Sequence, residues 1–157
     1  MTGVQTCALP ILKANIVFLS IFLSTASVGF SQNKVVVQSI ISRDAAIRKY
    51  HELDELKGMQ KGQLLELYTE RFRVLTKILP NIALAKTPGV TIADLGIPND
   101  AENRKTMEAQ TASTTGFITQ TEDFQRKMLP YSDKNTLISA ILFYESTLKS
   151  LHEFEGL

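Results

Sequence analysis

Leu137, Ile138, Ile141, Tyr144, Leu148 and Leu151 recur at helical spacing. Such a series lines one side of an α-helix and cannot line one side of a strand, where side chains alternate every second residue. Ser132 and Asp133 stand where a helix start needs a capping oxygen and an acid, and Gly156 stands where the end closes. Pro130 stops another helix arriving from upstream. That helix has Asn99 as its N-cap and Asp100 and Glu102 in its first turn, and it runs to Leu129. At 1.5 Å per residue its length is roughly 45 Å. The two helices fold back on each other at Leu129, Pro130 and Tyr131, and the remainder is expected to pack against this hairpin.

The inward stripe of the longer helix is mixed, with Met107, Phe117, Ile118, Phe124, Met128 and Leu129 sharing it with Gln110, Thr111, Thr114 and Thr121. Upstream, Leu64, Leu67, Tyr68, Phe72, Leu75, Ile78 and Leu79 define a helix from about Lys61 to Leu79, ended by Pro80. Gly58 and Gly62 separate it from an earlier helix expected from Ser42, Arg43 and Asp44 to Lys57. There Ile47, Tyr50, Leu53 and Leu56 recur every third residue, so the stripe drifts round the helix. From Asn81 to Pro98 an apolar stretch is interrupted by Pro88, Gly89 and Gly96, which predicts an ordered crossover with one capped turn at Thr91 to Asp94. The expected fold class is all-α: a three- or four-helix, mainly antiparallel bundle with a long ordered crossover loop.

The N-terminal stretch is read as processing signal. Residues 1–11, MTGVQTCALPI, resemble a translated sequencing-library adapter and hold Cys7, the one cysteine of the chain. Residues 12–31 place Lys13 before the apolar run Ala14 to Val28, which ends in small residues. This is the layout of a secretory signal peptide, and it is shorter than the ~20 apolar residues of a membrane span. Residues 32–157 are then a single helical domain, exported to the periplasm or cell envelope, with no stable membrane insertion after cleavage. Without Cys7 it has no disulfide, thiol nucleophile or cysteine metal ligand.

From Gln32 onward Lys and Arg number 16, because Lys13 falls away, and they balance 16 Asp and Glu. A neutral chain with no basic block lacks the clustered cations that nucleic acids and anionic membrane surfaces need. His51 and Glu55 share a spacing that helical zinc sites use, but the zinc-protease pattern needs a second histidine where Glu55 stands. A solvated charged face is the expectation for this segment. Arg48 and Lys149 occupy the positions where di-iron bundles need glutamate before histidine. No catalytic residue, metal ligand or cofactor is assigned.

Two groups of residues remain. Arg71, Gln110, Glu145 and His152 are polar residues within or level with apolar stripes, and they are expected to meet in a buried polar layer with Arg71 and Glu145 as an ion pair. Such a layer either fixes helix register or holds a small ligand; haem, ligated by His152 and Met59 or Met107, is one form of the second reading. Phe143 and Phe154 lie outside the main stripe of the last helix, where exposed aromatics make a docking surface for a protein partner or a second copy. The leading expectation is an exported, non-enzymatic helical interaction module of the bacterial cell envelope. The alternative is a periplasmic small-ligand or haem-binding helical bundle.

Overall fold

The computed structural model describes residue 3 and residues 37–153. Residue 3 apart, the adapter-like and signal segments lie outside the described residues, as do Phe154 and the side chain of His152. Among the described residues four α-helices follow one another: α1 (Leu53–Gly58), α2 (Lys61–Ile78), α3 (Ala101–Met128) and α4 (Lys134–Glu153). Short 3-10 turns lie at Leu79–Asn81, Ala93–Leu95 and Leu129–Tyr131. The described chain is predominantly helical and has no strand; its one isolated β-bridge joins Ser39 to Thr91.

The helix starts follow from local hydrogen bonding. Gln60 and Gln63 cap α2 reciprocally, with the Gln60 N–H donating to the Gln63 side chain at 2.9 Å. At α3 the cap is Asp100, one residue later than expected, and its carboxylate accepts the Asn103 N–H at 2.8 Å. At α4 the Asp133 carboxylate accepts from the Asn135 N–H at 2.7 Å and takes the role expected of Ser132. A charged acceptor suits the positive end of a helix better than a hydroxyl does.

The largest departure from expectation is at residues 42–52, where no helix forms and α1 is only six residues long. The backbone groups a helix would use are committed to the core instead. The Lys49 carbonyl accepts from Arg71 Nη2 at 2.6 Å, and the His51 N–H donates to Glu145 Oε2 at 2.6 Å. Ser42 spends its hydroxyl on the Asp44 carboxylate, and the Ala45 N–H closes a turn on the Ser42 carbonyl at 2.9 Å. Ile41 and Ala45 then pin the segment into a core with Val74, Leu75, Ile78 and Leu148.

The shared element is α2, in place of the α3–α4 hairpin: α2 packs along α4 and less extensively along α3, while α3 and α4 make no comparable contact. Tyr68 meets Tyr144, Arg71 meets Glu145, and Ile78 shares a cluster with Leu148. These pairs ascend together, so α2 and α4 run in the same direction. Along α3 the order reverses, Lys61 bonding the Pro130 carbonyl and Arg73 bonding Glu122. The antiparallel packing expected of the bundle therefore does not describe its largest helix pair. A second cluster of Leu56, Leu64, Ile138 and Ile141 holds α1 against α2 and α4.

The crossover is ordered by pairing with the first described segment. The Ile40 N–H donates to the Val90 carbonyl at 2.8 Å and the Gly89 N–H to the Ile41 carbonyl at 2.9 Å. Thr91 and Asp94 cap the 3-10 turn between them, with the Thr91 N–H to the Asp94 carboxylate at 2.8 Å. Gly89 has φ +94°, and a Cβ there would sit 3.3 Å from Arg43 Cγ. Gly89→Ala is expected to cost about 1–2 kcal/mol, as left-handed backbone does for a residue with a side chain. Gly116→Ala, in open space within α3, is expected to gain about 0.5–1 kcal/mol from helix propensity. Urea midpoints of the two variants, moving in opposite directions, check both signs.

Candidate functional site

Arg71, Glu145 and His51 form one buried cluster, exposed by 1%, 2% and 8% respectively. Glu145 Oε1 accepts from Arg71 Nε at 2.9 Å and Nη2 at 2.8 Å, and lies 3.0 Å from His51 Nδ1. Oε2 takes the His51 backbone N–H, and Arg71 Nη1 reaches the Glu70 carboxylate. His51 Nδ1 is also 3.2 Å from Arg71 Nη2. An ionised carboxylate can only accept, so the shorter contact, to Glu145 Oε1, is a hydrogen bond when the proton is on His51 Nδ1, and that is the tautomer this pair supports. With four donors around one carboxylate, the acceptor capacity of Glu145 is used up within the protein. The cluster joins α2, α4 and the segment before α1, which is the geometry of a register-fixing device.

The other expected members of that layer stand elsewhere. Gln110 is exposed on α3 and does not join Arg71 and Glu145. Other threonines of α3, outside the expected layer, are satisfied locally: Thr106, Thr115 and Thr119 donate to carbonyls four residues earlier. Met59 and Met107 pack against different core clusters, Met59 on Leu56 and Leu64, Met107 on the Ile41 and Leu148 cluster. His51, expected on a solvated face, is the buried residue that completes the cluster.

A different surface emerges where α2 is flanked by its neighbours. Tyr68 and Phe72 are one turn apart on α2 and so share a face. Tyr68 meets Tyr144 of α4 with ring centroids 5.3 Å apart and hydroxyls 3.2 Å apart, and Phe72 meets Phe117 of α3 at 6.2 Å. Phe143 lies 5.9 Å from Tyr144. Burial and the Tyr68 hydroxyl raise the Tyr144 phenol above the ordinary tyrosine range, so it stays an un-ionised donor. Phe124 follows Phe117 by two helical turns. Phe117 is 57% exposed, Phe124 60% and Phe143 65%. An aromatic run thus crosses from α3 over α2 to α4, its outer rings open to solvent.

Comparison with family models, curated proteins and solved structures finds no match to this chain. Its function is read from its own geometry. Among the described residues, no helix is long and apolar enough to cross a membrane.

The sequence reading placed Phe117, Phe124 and Met128 on the inward stripe of α3. Of that stripe Ile118 is buried and Met107 packs on the core, whereas Phe117, Phe124 and Met128 are exposed and Glu122 and Gln125 are buried beside Ile118 instead. Arg73 on α2 bonds Glu122 at 2.8 Å, and Phe124, two residues on and so on the far side of α3, is exposed. The signal was present as two overlapping stripes, of which the more apolar one lost.

Proposed function

We propose that this chain is a non-enzymatic helical interaction module, exported to the periplasm or cell envelope, that binds a protein partner or a second copy through the aromatic face of α2, α3 and α4. The observation that carries this reading is the pair of aromatic groups on neighbouring positions of α2, Phe72 with Phe117 and Tyr68 with Tyr144 and Phe143, with Phe117, Phe124 and Phe143 each more than half exposed. Interfaces concentrate their binding energy in aromatic anchors of this kind. The signal-like layout of residues 12–31 supports export. The buried Arg71–Glu145–His51 cluster supports a rigid scaffold, since it holds three parts of the chain in one register.

The test uses tagged chain as bait in a native envelope extract, with Phe143→Asp and Phe124→Asp beside the parent. Both side chains are exposed, so each variant should keep its helical circular dichroism and unfold within about 0.5 kcal/mol of the parent. A partner or oligomer held by the parent and released by both folded variants is the expected result. Unchanged assembly in the folded double variant removes this surface from consideration.

A further inference from the structure

A second opening lies away from the aromatic run, between the extended residues 37–43 and the N-terminal half of α3. It is a groove of about 550 Å³, within the range of small-molecule sites. Val37, Ile40 and Met107 give it an apolar floor, and Gln110 and Thr114 stand on the α3 wall. Among the described residues no Asp or Glu lines it, whereas Arg43 and Lys77 do. The Lys77 charge is already matched by Asp44 at 2.7 Å, and that hydrogen bond, followed by the one from the Ser42 hydroxyl, holds the Asp44 carboxylate below its ordinary range. Arg43 differs. Its stem lies over Gly89, and its guanidinium has no ion-pair or hydrogen-bond partner among the described residues. Gln110 and Thr114 likewise keep their side-chain donors uncommitted.

We propose that this groove binds an amphiphilic monocarboxylate, its carboxylate on Arg43 and its apolar body against Val37, Ile40 and Met107. A guanidinium fork matches a carboxylate in two parallel hydrogen bonds, and a single unmatched cation selects a single negative charge. The α3 wall from Met107 to Thr115 sets the length of the body at about 12 Å. The uncommitted Gln110 amide and Thr114 hydroxyl serve polar substituents on that body.

Decanoate is the probe, titrated into the full chain by calorimetry below its micellar concentration, with thermal melts in parallel. The expected result is one saturable site per chain and a melting temperature that climbs with decanoate. Arg43→Gln should weaken binding about tenfold or more, as loss of a charge-assisted hydrogen-bond pair does. Arg43→Lys should recover part of it. Thr114→Trp, which fills the groove, should abolish binding, and 1-decanol should bind the parent as weakly as decanoate binds Arg43→Gln. Phe143→Asp should leave the titration unchanged. Absence of a saturable site, or binding that persists in both Arg43→Gln and Thr114→Trp, overturns the proposal. So does binding lost in Phe143→Asp, which would place the decanoate on the aromatic face.

Discussion

Glu145→Ala is expected to lower the stability of the fold by about 3–5 kcal/mol, the range for removing one member of a buried ion pair. Arg71 is 1% exposed, and without Glu145 it keeps only the Lys49 carbonyl and the Glu70 carboxylate at the edge of the cluster. The His51 backbone N–H, donated to Glu145 at 2.6 Å, is left without an acceptor. Total stabilities of single domains are about 5–15 kcal/mol, so this one change brings the protein close to unfolding. The pair Arg71→Met with Glu145→Leu is expected to cost much less than either single change, because no lone charge then remains buried. Urea melts of the parent, the two single variants and the double variant form a cycle that reads the coupling directly. Additive losses would show that the two side chains do not act as a pair.

Ile141→Ala is expected to cost about 2–5 kcal/mol through the cavity it leaves. Ile141 is wholly buried where α1, α2 and α4 meet, in one cluster with Leu56, Leu64 and Ile138. Its second effect is local. A helix of six residues has no stability of its own, so α1 exists only while Leu56 has a surface to pack on. Amide hydrogen exchange across Leu53–Gly58 should therefore accelerate more in Ile141→Ala than exchange in the first half of α3, which the cluster does not touch. Uniform acceleration along the chain would mean that α1 opens only with the whole fold.

Much of the helical layout was legible. The periodicity of Leu64 to Ile78 and of Leu137 to Leu148 gives α2 and α4 nearly to the residue, because both bury a broad apolar face and both meet a proline at a boundary. What periodicity leaves open is tertiary competition for backbone and charge. Residues 42–52 carry helix-start signals, yet Arg71 and Glu145, 20 and 94 residues beyond His51, claim the same carbonyl and amide groups. Arg71 and Glu145 were recognisable as polar residues in apolar stripes, and the structure joins them; Gln110 was expected in the same layer, but its helix turns it to solvent. Phe117 and Phe124 lie outward while Glu122, paired with Arg73, and Gln125 lie inward, an arrangement that hydrophobicity alone decides the other way.

The buried carboxylate of Glu145 also sets a timetable. The segment before α1 is held by a residue 94 positions further along, and the main core closes around Leu148. Both lie on α4, the furthest along the chain of the described helices. Until α4 has emerged, Arg71 has only Glu70 at the edge of the cluster to balance it and α2 lacks its most extensive neighbour, so a nascent chain ending before residue 134 has no complete core to collapse onto. Contacts so distant in sequence are slow to form and late to reward the chain. Were the chain exported as proposed, the same late closure would leave its core unformed until α4 had crossed.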